Sequence, residues 1–444
     1  MAHMFKPESL GGFADGLYTG DLAPFRHVPF LLANDMTYLD DANIFIRQIA
    51  SQKGASSKGL VSRRRRRGVS GNTLIGKARA LENFFSYVEA KSLDWHVIDY
   101  DALLSTYDTD MARGLWSADG KPLAAKTINL RIDTACQFLT WAAEQGLRGA
   151  FNVDTEIRSR EVSAGNSSHR TFEMISNRVG ARRYHPSRLR LPTVEEINTW
   201  LDEVSRRRGP TKALACKAIL NTNMRLEEVV MLRQSQVRAA LDRMETDPAH
   251  VEDPDRLVDL NICYGTKGQR ILGDPEKMGK PRTLRVRPAF MVELDRYDAK
   301  RRPYSVRKFR RTRPGNKAPQ QFFLHDLTGA PITRGALYKA WHECKTLPFK
   351  GWSPHAGRHA WACFTLLNQL QRQQQVIEAI TAAGATPTAL LMQLSKDTID
   401  LLIRPAMGHV DRATTDRYLD WVSDHLSSKS LRMEWYRYLD GDNE

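Results

Sequence analysis

A chain of 444 residues is longer than one hydrophobic core usually serves, so two domains are the starting expectation. Its 41% hydrophobic and 26% charged residues suit a globular protein, and no apolar run approaches the ~20 residues that span a bilayer, which argues against membrane insertion. The 66 lysines and arginines against 51 aspartates and glutamates leave a net charge of +15. That excess points to a polyanionic partner, because each phosphate neutralised releases condensed counterions, although a merely basic globular protein is the plainer account.

The opening Met1-Ala2-His3-Met4 lacks the charged-then-apolar design of a secretion signal and resembles a cloning remnant. Residues 5–35 are irregular. An amphipathic pattern follows (Ala42, Phe45, Ile46, Ile49), then five consecutive arginines, Arg63, Arg64, Arg65, Arg66 and Arg67, with Gly68 and Gly71 behind them. This is a basic loop, either a solvated one or one that lies along a phosphate backbone. From Ser70, the residues Leu74, Ile75, Ala78, Leu81, Phe84, Phe85 and Val88 recur at helical intervals, and a second stripe runs from Ile128 to Trp141 with Thr127 in a capping position. Residues 36–180 therefore read as a helical domain, although periodicity fades after Gly149, and 181–192 as a linker.

Thr193-Val194-Glu195-Glu196 has the spacing of a capping box and opens a second domain, residues 193–444. It is helical to about Val237. Leu257–Tyr264 and Arg282–Val286 then alternate as strands do, which predicts a short antiparallel ribbon among helices. The stretch from Lys300 to Arg313 reads as another exposed basic loop, with Arg307, Lys308, Arg310 and Arg311 as candidate backbone-binding residues. The five cysteines are scattered, with no CxxC pair, and fit reduced thiols in a cytoplasmic protein rather than a disulfide or zinc framework. The fold class expected is mainly α with a small antiparallel β-sheet.

Five segments of the second domain stand out together. Asn223-Met224-Arg225-Leu226-Glu227-Glu228 has the form Arg-x-x-Glu, and Lys277-Met278-Gly279-Lys280-Pro281-Arg282 precedes a strand. His355-Ala356-Gly357-Arg358-His359 has the form His-x-x-Arg-His. Gly408-His409 is followed by Thr414-Thr415 and, nine residues after His409, by Tyr418. In order and type the five resemble the signature of the tyrosine recombinase, or phage integrase, family; any one alone would be weak. The first domain is similar in style to that family's helical core-binding domain.

The resemblance implies a site-specific recombinase that cleaves and rejoins double-stranded DNA through a 3′-phosphotyrosine bond, using no cofactor and no metal. It implies catalytic residues Arg225, Lys277, His355, Arg358, His409 and Tyr418, with Glu228 and His359 in support. It implies also a helical core-binding domain and an α+β catalytic domain closing as a C-shaped clamp round DNA. The expected assembly is a tetrameric homo-oligomer on two DNA sites, in which residues 423–444 pass between protomers. Two departures are plain: Lys267 on the same, longer ribbon rivals Lys277, and 51 residues separate Arg358 from His409, about twice the compact spacing. The excess, roughly Leu367 to Ile399, reads as an added helical segment.

The residue types support that chemistry by themselves. A phosphate under attack gathers charge on its non-bridging oxygens, and two guanidinium forks match it. A phenol is too weakly acidic to ionise at neutral pH unless positive charge surrounds it. For Arg225 the plainer account is an ion pair with Glu228, and for His355 and His409 a core or capping histidine. Three other classes compete: a metal-dependent nuclease, a DNA-binding protein that keeps the fold without turnover, and a type IB topoisomerase. The first lacks an HExxH motif and a carboxylate cluster.

Overall fold

The computed structural model describes residues 1–7, 25, 28–51, 71–163, 170–183, 189–253, 256–266, 279–372, 396–407, 418 and 421. Arg63–Arg67, Lys267, Lys277, His409, the tail 423–444 and residues 373–395 of the expected helical insertion lie outside them. The chain divides between Pro186 and Ser187 into two compact units. It is mainly α, with small two-stranded antiparallel sheets.

In the first unit, helices α1 (Asp40–Ser51), α2 (Gly71–Ala90) and α3 (Ala125–Glu144) bury the apolar stripes that their spacing predicts. Phe45, Phe84, Phe85, Tyr107, Phe138 and Trp141 meet in one aromatic core, with Phe85 and Phe138 edge-to-face at 5.2 Å. Burying each such ring contributes roughly 1.5–3 kcal/mol, enough to order the bundle. Trp141 satisfies its indole N–H on Gln48 Oε1 at 2.7 Å.

Three details differ from expectation here. Helix α3 starts earlier, at N-cap Ala124 with no side-chain cap, so Thr127 lies inside the helix and does not begin it. The first residues are not idle: β1 (His3–Phe5) pairs with β2 (Phe30–Leu32), and Ala2 and Leu31 are buried in the core. Thirdly, the region of fading periodicity holds a hairpin, β3 (Thr155–Ser163) with β4 (Arg170–Arg178), in register Thr155↔Arg178 to Ser163↔Arg170. Its sequence is polar on both faces, and Ile157 and Met174 are exposed, so no alternation marks it. What fixes its base is polar: Arg178 donates to Asp133 at 2.6 Å and to Asn129 at 2.9 Å, both on α3.

The second unit opens as the sequence predicts. Thr193 accepts from the Glu196 amide at 3.1 Å while Glu196 accepts from the Thr193 amide at 2.8 Å, starting α4 (Val194–Arg208). Then come α5 (Pro210–Thr222), α6 (Leu226–Met231) and α7 (Gln234–Thr246). The ribbon β5 (Val258–Ile262) and β6 (Arg282–Val286) follows, in register Leu260↔Leu284, with alternate residues buried. After α8 (Pro288–Arg296), the basic stretch is helical and not a loop: a π turn, Tyr297–Arg301, leads into α9 (Arg302–Thr312). Arg302, Ser305 and Phe309 form its buried stripe, which the density of charge around them hides in the sequence.

Helices α10 (Arg334–His342) and α11 (Pro354–Arg372) complete the core, whose centre is three indoles. Trp200 lies 4.5 Å from Trp341 and 5.7 Å from Trp352, ring to ring, and donates to the Trp341 carbonyl at 3.1 Å. This cluster ties α4 to α10 and to the start of α11. A last π turn, Ile399–Ile403, runs into the short helix α12 (Arg404–Met407).

Candidate active site

The site is built where α5 ends. Asn223 adopts a left-handed conformation (φ 59°) as its C-cap, which asparagine tolerates better than most residues. The turn points the Asn223 carbonyl inward and starts α6 at Arg225. Glu228, fully buried three residues on, folds back: it accepts from the Arg225 amide at 2.6 Å and from Arg225 Nη1 at 2.8 Å. The expected ion pair is therefore present, but Glu228 is shared.

Arg282, the first residue of β6, also donates to Glu228, through Nε at 3.1 Å and Nη2 at 2.5 Å, and reaches the carbonyls of Asn223 and Ala406. Arg358 on α11, 4% exposed, donates to the Asn223 and Met407 carbonyls, with Glu228 at 3.9 Å. Arg225 Nη2 shares the Met407 carbonyl at 2.7 Å. Thus α6, β6, α11 and the end of α12 converge on one carboxylate. Gly357 permits this, because a side chain there would come within 2.8 Å of Trp341 and push α11 away. Gly265, at φ 68°, likewise lets the base of the ribbon lie against the Glu227 carbonyl.

Three guanidiniums thus face one carboxylate in a mostly buried place. Burial, then Arg225 and Arg282, push Arg358 down to about 9, against the pull of Glu228. Burial lowers Arg282 as well, against the pull of Glu228. Burial alone would raise Glu228, but Arg282 and Arg225 outweigh it and hold its carboxyl below the usual range. The chemistry left over is affinity for an anion with several oxygens.

Tyr418 stands beside this cluster. It is fully buried, packed with Ala362, Cys363, Leu366, Ile399, Ile403 and Met407. Its hydroxyl lies 2.7 Å from His359 Nδ1 and 3.0 Å from the Met407 sulfur. The hydroxyl donates to the Met407 sulfur, and its bond with His359 runs from phenol to imidazole when His359 Nδ1 carries no proton. Met407 joins the halves of the site: its carbonyl holds Arg225 and Arg358 while its side chain touches the phenol. His355, one helical turn before His359 and exposed, places Nε2 3.1 Å from His359 Nε2.

Of the sequence-predicted residues, Arg225, Glu228, His355, Arg358, His359 and Tyr418 come together; the described residues do not include His409, Lys277 or Lys267. His359, expected only in support, is the histidine against the phenol, with His355 behind it. Arg307, Lys308, Arg310 and Arg311 lie exposed on α9, where Lys308 donates to the Asp326 carbonyl at 2.8 Å and Arg307 stacks on Tyr304. Sequence reasoning missed Arg282 and Met407. The signal for each was adjacency: Arg282 closes the lysine-bearing segment, and Met407 precedes Gly408-His409. Among the described residues no helix is long and apolar enough to cross a membrane.

By sequence the chain matches no protein-family model and no curated protein. Among solved structures it is similar to a lambda integrase dimer bound to a COC′ core site, at 11% identity and a TM-score of 0.43, over 86% of this chain and 95% of that one. It is similar also to the Tn1549 transposon integrase in complex with circular intermediate DNA (15%, 0.41, 84% and 94%) and to the XerA recombinase (12%, 0.31, 90% and 98%). These are recombinases and integrases, the class that the five motifs resemble. At such scores the likeness is loose, and the chemistry of the site stands on its own side chains.

Proposed function

We propose that this chain is a site-specific DNA recombinase that breaks and rejoins strands through a covalent phosphotyrosine. The observation that carries the proposal is a mostly buried cluster of three guanidiniums on the Glu228 carboxylate, sharing Met407 with a buried phenol. In this reading the scissile phosphate enters the cluster and Arg225 and Arg358 turn their forks to its non-bridging oxygens. Glu228 and Arg282 keep the two aligned. Tyr418 attacks phosphorus, the 3′ side of the cut becomes a phosphotyrosine, and the 5′ oxygen leaves with a proton from Lys277 or Lys267. His409 adds a hydrogen bond to the phosphate.

Bond energy stays in the protein–DNA link, so strand exchange uses no nucleotide and no metal. The +15 net charge supplies affinity for the phosphate backbone, with Arg63–Arg67 and the exposed arginines of α9 adding contacts that do not read bases. Both domains contact duplex DNA, and four protomers pair two sites by exchanging residues 423–444.

The test uses nicked suicide duplexes tiled across the DNA that flanks the gene. A covalent adduct that survives denaturant and a chelator, and disappears in Tyr418→Phe, is the expected result. Adduct formation that Tyr418→Phe leaves intact, or that a chelator abolishes, overturns the proposal. Relaxation of supercoils by single molecules without exchange of partners would move the chain to the topoisomerases.

A further inference from the structure

We infer that His359 and His355 form a two-step proton relay that carries the tyrosine proton from the buried phenol to solvent. The inference rests on the recombinase reading and assigns His359 the part of direct proton acceptor. Three observations support it. Tyr418 is fully buried, so its phenol is out of direct contact with water. His359 touches it through Nδ1 at 2.7 Å and is itself 7% exposed. His359 Nε2 lies 3.1 Å from Nε2 of His355, which is exposed. The path is therefore phenol, buried imidazole, exposed imidazole, water.

Helix geometry makes the path possible, since residues 355 and 359 are one turn apart and their rings meet at 4.3 Å. The relay requires one set of tautomers: His359 unprotonated at Nδ1 with its proton on Nε2, donated to His355 Nε2, and His355 protonated at Nδ1. As the Tyr418 oxygen bonds to phosphorus and the bond from phosphorus to the 5′ oxygen breaks, the phenol proton moves to His359 Nδ1. The His359 Nε2 proton moves to His355 Nε2, and His355 releases its Nδ1 proton to water. The departing 5′ oxygen takes a proton from the ribbon lysine. Religation runs the same relay inward and returns the proton to the phenol.

A buried acceptor alone would become a charge sealed in an apolar pocket beside Arg358, which disfavours it. Passing the proton outward removes that charge at once. His359 thus acts on the reacting oxygen, and His355 acts through His359.

The measurement is single-turnover formation of the Tyr418-dependent adduct on the duplex that yields it. His359→Gln should slow it by roughly 10²-fold or more, and His355→Gln by a smaller factor. The double variant should be no slower than His359→Gln within about threefold, because groups in series are not additive. Rates of the wild type in mixtures of H2O and D2O should curve as two protons in flight require, and become linear in His355→Gln, an exposed position whose change leaves folding intact. Multiplicative losses in the double variant, or a linear wild-type profile, overturn the relay while the recombinase reading stands. No Tyr418-dependent adduct in the wild type overturns both.

Discussion

Two buried carboxylates in the second unit, Glu228 and Asp298, are each surrounded by arginine, and they differ in one respect. Around Asp298, Arg302 is buried, but Arg238 is half in water, and Gln234 donates to the carboxylate at 2.8 Å. Arg302 donates through Nη1 to Gln234 and through Nη2 to the carbonyls of Pro319 and Gln321, while its Nε lies 4.0 Å from Asp298. Charge there is balanced by a neighbour and by solvent, which is how an ion cluster pins α7 to α9. Around Glu228, three guanidiniums are 21%, 12% and 4% exposed, and among the described residues Glu228 is the carboxylate that all three share. The Asp298 cluster ties α7 to α9, while the Glu228 cluster shares Met407 with the Tyr418 phenol.

The largest effect expected from this contrast is on Glu228→Gln. Removing the carboxylate from three arginines should destabilise the protein by about 3–5 kcal/mol. Sulfate should restore more of that loss than it adds to the wild type, since a bound anion rebalances the cluster. Asp298→Asn should show no such extra gain, and equal sulfate responses in denaturant titrations would dissolve the distinction. The same group sets an acid limb. Its folded carboxyl sits below the ordinary 4.5, so its stabilisation is in place above that pH and is lost as pH falls towards the folded value. Glu228→Gln should flatten this limb in melts taken across the acid range.

Next comes Arg358→Lys, which keeps a charge but loses the fork. It should reduce single-turnover cleavage by about 10²–10³-fold, the usual loss for one preorganised donor at a developing oxyanion. Arg302→Lys should leave cleavage within about threefold, because its hydrogen bonds go to Gln234 and to the Pro319 and Gln321 carbonyls. A smaller loss is expected of Arg282→Gln, about 1.5–3 kcal/mol of stability from hydrogen bonds to a charged group, read by thermal melting. Smallest is Asn223→Gly, which relaxes a left-handed backbone and should shift stability by under about 1 kcal/mol. Asn223→Val should lose more, because branching at Cβ fits that conformation poorly.

The likeness between the clusters also explains what could be read in advance. Arg225 and Glu228 are three residues apart on one helical turn, so their pairing is local and legible. Arg358 and Tyr418 were legible as types in an ordered series of motifs. Arg282 was not, because the carbonyl it holds at Ala406 is 124 residues away. Nor was the order phenol, His359, His355 legible, since the ring that faces Tyr418 depends on how α11 turns against Met407. The hairpin β3–β4 escaped for a different reason, namely that a ribbon wet on both faces leaves no period in its sequence.

Composition and spacing by themselves determined a mainly helical chain with a short ribbon, an excess of positive charge, and the Arg225–Glu228 pairing. These follow from local rules: helical period, capping and alternation act over a few residues and need no fold. Only the tertiary structure decided that three arginines share one carboxylate, that Met407 joins them to the phenol, and which histidine lies against it. Those are long-range contacts, fixed by packing around Trp200, Trp341 and Trp352 that brings distant backbone segments within hydrogen-bonding reach.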